Sequence, residues 1–349
     1  MNLDLIQALN QLEKEKNIPK DMLFEAVEAA LLSAYRKNYK TTQNVSIYLN
    51  RETGEVKVFA KKRIMNKVKN PNTEISIEDA KNYTENPKIG DIIEIEITPA
   101  EFGRIAAQTA KQVVIQRICE AERKVIYREY SEKEKEILTG TIQRFEGENI
   151  VINLGKTEGI LPPQEQIKEE HYYPGKKLKV YLVEVRRTSK GPKIIVSRTH
   201  PGLIKGLFEL EVPEVYEGLV EIKAIAREPG KRTKIAVFSR DKNIDPVGTC
   251  IGNKGVRIRN ILSELGEEKI DIVKWEKEPS IFIKNALSPA KIISINISKE
   301  DRIANVLVPQ DQLSLAIGRE GQNVRLAVKL TGWRIDIKSE GGSEGKGEE

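Results

Sequence analysis

Two short segments bracketed by glycines hold the most promising chemistry in this chain. Ile251-Gly252-Asn253-Lys254-Gly255-Val256-Arg257-Ile258-Arg259 recurs further along as Ile317-Gly318-Arg319-Glu320-Gly321-Gln322-Asn323-Val324-Arg325. Ile270-Asp271-Ile272 recurs at almost the same offset as Ile335-Asp336-Ile337, so the repeat extends beyond the glycines and indicates a duplicated structural unit. A lone Gly-x-x-Gly means little, because 24 glycines in 349 residues give about one or two such spacings by chance. Gly342 to Gly345 is such a case. In the repeated copies the missing Cβ atoms let the backbone approach a phosphate closely. The amides that open the next helix then point at the phosphate under a positive helix end. Lys254 and Arg319 add charge inside the loops, and Arg257, Arg259 and Arg325 add it just after them. The candidate phosphate-contacting set is therefore Gly252, Asn253, Lys254, Gly255, Arg257 and Arg259 in the first copy. In the second it is Gly318, Arg319, Glu320, Gly321, Gln322, Asn323 and Arg325. Glu320 is discordant: it must point away from phosphate or weaken its copy relative to the first.

The elements around both loops follow one order. A short apolar helix (246–251; 312–317) leads into each loop, and a second helix leaves it, with Ile258, Ile261, Leu262 and Leu265, or Val324, Ala327 and Val328, as its apolar face. Each second helix ends near glycine and runs into a strand. Strands at 234–238 and 304–308 precede the helix pairs. Helix, Gly-x-x-Gly, helix, strand resembles the KH domain, whose loop clamps the backbone of about four nucleotides. The preceding strands match its prokaryotic type II form.

Upstream, residues 140–197 read as short strands (141–144, 150–154, 177–185, 193–197) separated by glycines and prolines, as in a small closed barrel of the OB type. Gly140-Thr-Ile, Ile150-Val-Ile-Asn-Leu-Gly155 and Glu158-Gly-Ile-Leu-Pro162 resemble the S1 RNA-binding barrel. Where S1 domains usually place base-stacking aromatics, Glu146 to Asn149 fills a turn. Phe145, Tyr172 and Tyr173 are the other aromatic candidates, with core or hinge packing the expected role of each. The first third reads as helices at 2–12 and 21–39, a hairpin through Val45 to Val58, and a third strand at 91–98. A long helix from Pro99 towards Glu136 then carries Ala107, Ala110, Val114, Ile118, Ala121 and Val125 on one stripe and closes the first domain. Residues 199–206 and 278–289 read as short linkers.

Charge divides the chain. Residues 1–135 hold 23 Lys and Arg against 21 Asp and Glu, 136–338 hold 34 against 27, and 339–349 hold 1 against 4. The basic excess, which attracts polyanions through counterion release, therefore lies in the barrel and the repeats. Two cysteines and two histidines are too few for a zinc cluster or a disulfide framework. No metal or cofactor is expected. Residues 1–16 alternate apolar and charged residues like an amphipathic helix, not a signal peptide, and no stretch has the length of a membrane span.

The lead Asp245-Pro246-Val247-Gly248-Thr249-Cys250 and the segment Gln322-Asn323-Val324-Arg325-Leu326-Ala327, behind an S1-like barrel and a distinct front domain, resemble the NusA family of bacterial transcription elongation factors. The resemblance covers about residues 1–338. It implies a multidomain α+β protein with an N-terminal RNA polymerase-binding domain (1–135), an S1 domain (136–200), two tandem type II KH domains (201–277 and 278–338) and a flexible acidic tail (339–349). The implied activity is non-catalytic modulation of pausing, intrinsic termination and antitermination. The implied partners are core RNA polymerase near its RNA exit channel, nascent single-stranded RNA and other antitermination factors. A cytoplasmic monomer without membrane contact is expected. Some family members continue into acidic helical repeats that regulate RNA binding, and an end at Glu349 implies no such autoinhibition. A phosphorolytic exonuclease also carries KH and S1 modules, but with KH before S1 and behind a nuclease core too large for the segment ahead of this barrel. A ribosome-linked RNA-binding protein is the third reading, and co-sedimentation with ribosomal subunits would favour it.

Overall fold

The computed structural model describes residues 20–39 and 44–340. The helix expected at 2–12, the Met1–Lys16 segment and the tail beyond Glu340 lie outside the described residues. The chain divides into two compact units, the first ending at Val125 and the second starting at Ile126.

In the first unit, α1 (Lys20–Tyr39) covers a sheet whose spine is β2 (Val56–Met65). β1 (Val45–Leu49) and β4 (Ile92–Glu96) pair antiparallel with β2, with Val45 opposite Ala60 and Phe59 opposite Glu96. β3 (Glu74–Ser76) pairs parallel at its end and leads into α2 (Ile77–Ala80), N-capped by Ser76. β3 and α2 are additions to the expected elements, being too short to show a period. Leu23, Phe24, Val27, Leu31 and Tyr35 of α1 pack on Val45, Leu49 and Val58 and on α3 (Phe102–Glu132). That long helix departs from its expected stripe. Its buried line is Phe102, Ala106, Ala110 and Val114, while Ala107 is only half-buried and Val125 is 61% exposed. Phe102 starts the line one position ahead of the alanines, meeting Tyr35 edge-on with ring centroids 5.3 Å apart. Nor does α3 simply close the first domain: Ile126, Tyr127 and Tyr130 of its last turns join the barrel core of the second unit.

The second unit opens with a closed barrel in the order β5-β6-β7-β9-β8. Its strands are β5 (Ile137–Glu146), β6 (Asn149–Asn153), β7 (Glu158–Leu161), β8 (Lys177–Thr188) and β9 (Gly191–Ser197). β7, the strand missing from the expected set, closes the barrel by pairing parallel with β9.

Both expected linkers are helices. α4 (Pro201–Glu211) follows the barrel, and α8 (Pro279–Ala286) opens the second repeat. Each begins at a proline, which reads as a breaker in sequence but is preorganised for the first helical position. The glycines at 202 and 206 provide close packing, not flexibility. A Cβ on Gly202 would lie 2.3 Å from the Tyr181 ring, and one on Gly206 2.6 Å from Ile137. Barrel and first repeat thereby share a core through Tyr181, Leu203, Ile204, Leu207 and Phe208.

After α4 come α5 (Pro213–Tyr216), β10 (Val220–Glu228), β11 (Arg232–Ser239), α6 (Pro246–Ile251), α7 (Val256–Leu265) and β12 (Lys269–Lys274). The second repeat runs α8, β13 (Ser294–Ser298), β14 (Ile303–Val308), α9 (Leu313–Ile317), α10 (Gln322–Thr331) and β15 (Arg334–Ser339). Each sheet has an antiparallel pair followed by a parallel one, as type II KH topology requires. The first sheet is apolar on both faces: its own helices cover Ile235 and Val237, and α8 and α10 cover Ala226, Ala236 and Val273. Lys234, fully buried in this joint, donates to the Ser288 carbonyl at 2.9 Å and pairs with Asp271 at 3.0 Å. The repeats therefore have a shared interior.

Candidate nucleic-acid interface

The two glycine loops have nearly the same backbone. Gly252 and Gly318 lie at φ 76°, ψ 168° and φ 78°, ψ 169°. Gly255 and Gly321 lie at φ 72° and 71°. The residue between, Lys254 or Glu320, is itself left-handed, at φ 50° or 54°. Glycine is required at the first position for a second reason. A Cβ there would come 2.7 Å from Arg257 Cγ in the first copy, and 2.7 Å from Asn323 Cβ and backbone nitrogen in the second.

That close approach exposes a division of labour within the candidate set. Arg257 and Asn323 turn inwards beneath their loops. Arg257 donates to the Thr249 carbonyl at 2.8 Å and pairs with Glu214 at 2.9 Å. Asn323, 2% exposed, donates to the carbonyls of Leu315, Ala316 and Leu287 at 3.3, 3.0 and 3.1 Å. Thr249 and Leu315 are equivalent positions of the repeat, so both copies pin the preceding helix to the loop at the same place. Arg257 is only half-buried and still lines the groove along its loop, whereas the Asn323 side chain lies buried beneath the second. Asn323→Ala removes the donor that ties these three carbonyls together and is expected to cost about 1–3 kcal/mol, read from the urea midpoint of the full chain.

Arg259 and Arg325 are also equivalent. Each donates to the carbonyl of the left-handed residue, Lys254 at 2.8 Å and Glu320 at 3.1 Å, holding that conformation while the guanidinium stays at the surface. Asn253, Lys254, Arg319 and Glu320 are exposed. Glu320 stands at the exposed tip of the second loop, with its carboxylate 3.9 Å from Arg319 Nε. An open groove of about 710 Å³ runs along the first loop, its lining including Asp245, Thr249, Gly252, Asn253, Lys254 and Arg257. The Asp245 carboxylate is occupied in capping the Val247 and Gly248 amides.

Comparison with known proteins agrees along the whole chain. The NusA N-terminal domain family matches residues 4–124, the S1 RNA binding domain 131–197, the NusA-like first KH domain 198–275 and the NusA-like second KH domain 279–345. The transcription termination/antitermination protein NusA of Bacillus subtilis is 54% identical over 340 residues, covering 97% of this chain and 92% of that one. The same protein of Halalkalibacterium halodurans is 51% identical, with 97% and 89% covered, and that of Thermus thermophilus 44% identical, with 97% and 90% covered. The chain belongs to the NusA family. It is a transcription termination/antitermination protein with RNA-binding S1 and KH domains.

Within this NusA-family chain the two clamps are not electrostatically equal. The first has Lys254 at its tip. The second has Glu320 there, and its Arg325 is already engaged, its Nε donating to Glu228 at 2.6 Å. Burial alone would push the Glu228 carboxyl up, but hydrogen bonds from Arg325 and Gln322 outweigh this and hold it below the usual carboxylate range. Gln322, a candidate contact, is thus committed to bracing the second loop against the end of β10. Glu214 and Glu228 carry no signal in the sequence because they lie 43 and 97 residues from their arginines.

The barrel shows the same saturation on its β5–β7 face. Arg144 pairs with Glu158 through both terminal nitrogens at 2.8 Å and also meets Glu146. The hydrogen bond from Arg144 holds the Glu158 carboxyl below its ordinary value. Phe145 and Tyr173 are 48% and 58% exposed, so the expected packing role fails for both. Tyr172 does pack, its hydroxyl donating to Glu170 and accepting from the Ile167 amide. Basic charge collects instead at the tip of the β8–β9 hairpin, where Arg186, which also meets Glu184, lies opposite Lys193 and Lys190 sits at the turn. Arg187 stacks over Tyr127 at 4.2 Å. The cluster of Arg186, Arg187, Lys190 and Lys193 around Gly191 is the signal from which this strip could be found.

Proposed function

We propose that this chain docks through its front domain (1–135) on core RNA polymerase near the RNA exit channel. There it holds emerging single-stranded RNA with its S1 domain (136–200) and KH domains (201–277 and 278–338), without catalysing a reaction. The observation that carries the reading is the pair of matching loops, each with two positive-φ glycines, an exposed left-handed tip and an inward pin. On the RNA we place Gly252, Asn253, Lys254, Gly255 and Arg259, and Gly318, Arg319, Gly321 and Arg325. Arg257, Gln322 and Asn323 support the loops, and Glu320 tempers the second. The chain acts as a cytoplasmic monomer alongside other antitermination factors. No helix among the described residues is long and apolar enough to cross a membrane. Tethering on the polymerase turns each further RNA contact into an intramolecular event, so modest clamps suffice.

Single-round transcription at a hairpin-dependent pause tests this. The whole chain is expected to lengthen the pause, and the N253D/K254D/R319D variant to change pausing less while still binding polymerase. Firm RNA binding with no effect on pausing would instead favour the ribosome-linked reading.

A further inference from the structure

A groove of about 640 Å³ lies away from both glycine loops, lined by Lys277, Glu278, Pro279, Lys299, Arg302 and Trp333. It gathers three cations and one carboxylate around an indole. None of the three cations forms an ion pair with a described residue. Arg302 is left-handed at φ 53°. Among the described residues the other non-glycine positions of this kind are Lys135 and the two clamp tips, Lys254 and Glu320. Such strain collects where a side chain must be presented. The turn is fixed, because the Arg302 carbonyl accepts the Arg334 amide at 3.0 Å.

The first repeat shows that the fold does not require an aromatic here. Its Lys231 carbonyl accepts the Lys269 amide, also at 3.0 Å, which places Glu268 where the second repeat has Trp333. Glu268 is fully buried in an ion pair with Arg227 at 2.8 Å. Trp333 instead is half-buried, anchored on the shared core with part of its surface on the groove. A flat ring flanked by cations suits a nucleotide: the base stacks on the indole, and the cations meet its phosphates.

We propose that this groove is a nucleotide-binding site, in which Trp333 stacks a base of single-stranded RNA and Lys277, Lys299 and Arg302 hold the adjoining phosphates, independently of the two clamps.

The chain has two tryptophans, so Trp275→Phe leaves Trp333 as the sole indole. Titrating this full-length variant with adenosine monophosphate and with short oligoadenylate should quench its fluorescence saturably. Lys299→Ala with Arg302→Gly should weaken that binding by about tenfold, because charge-assisted hydrogen bonds to the phosphates disappear. Glycine suits the left-handed position, so the second change does not strain the turn. The N253D/K254D/R319D substitutions should leave the quench intact even while overall RNA affinity falls, which separates this site from the clamps. Should Trp275→Phe disturb the fold, the difference between the unsubstituted chain and Trp333→Phe isolates the same signal. Absence of quench would overturn the proposal. So would an equal response to inorganic phosphate or to an acidic peptide, since either makes the groove a site for charge alone. Loss of the quench in the clamp variant would return the signal to the loops.

Discussion

Aspartate at both Asn253 and Lys254 should lower the affinity of the full chain for single-stranded RNA about a hundredfold at low salt. Each charge-assisted hydrogen bond removed is worth about 1.5–3 kcal/mol, and about 1.4 kcal/mol is a factor of ten. Folding should be untouched. Both side chains are exposed, and aspartate tolerates the left-handed conformation that Lys254 adopts. Anisotropy titrations across a salt series give the decisive reading. The slope of log affinity against log salt should flatten by about 0.7 for each phosphate of a single strand that the clamp no longer neutralises. Arg319→Asp should cost about tenfold or less, because in the second loop Glu320 already opposes phosphate and Arg325 is shared with Glu228. Equal reductions at the two loops would mean that charge does not rank them.

What can be read from the sequence is what is local and repeated. The near-constant offset between the copies locates both loops, the helices around them and the glycines that φ requires. The barrel is legible from its short strands, although β7 is not, because its four residues match a motif but are too few to show a period. Whatever depends on a distant partner stays hidden. Arg257 and Asn323 look like RNA ligands in a basic string, and only the position of the preceding helix end shows them turning inwards. The supposed linkers fail for a related reason. Proline and glycine at Pro201, Gly202 and Gly206 signal a break when read alone, but a helix start and a tight seat for Tyr181 and Ile137 once the barrel is in place. The register of α3 differs from its alanine stripe because Phe102 buries far more area than any alanine and sets which face turns inwards.

The joint between the barrel and the first KH domain depends on one buried guanidinium, and its loss should be the most destabilising single change. Arg198, with its side chain 1% exposed, uses all five N–H groups. It donates to both carboxylate oxygens of Glu170 at 2.9 Å, to Glu264 Oε1 at 3.0 Å, and to the carbonyls of Lys179 and Glu264 at 2.7 and 2.9 Å. Arg198→Ala leaves two carboxylates and two carbonyls without this partner, and should cost about 3–5 kcal/mol in urea unfolding. Arg198→Lys should recover less than half of that, since an ammonium cannot reproduce the planar fork. Acid provides an independent check. Burial would push the Glu170 carboxyl up, but Arg198 outweighs it and holds the group below its ordinary 4.5. A carboxyl whose folded value is depressed contributes stability that is present above its unfolded pKa and is lost as pH falls through the folded one. The unsubstituted chain should therefore weaken as the pH drops below about 4.5, and Arg198→Ala should flatten that part of the profile. Glu264 lies on α7, whose opposite end carries the first clamp, so freeing this joint should also split one unfolding transition into two and reduce affinity more for RNA long enough to touch barrel and clamp together than for a tetranucleotide.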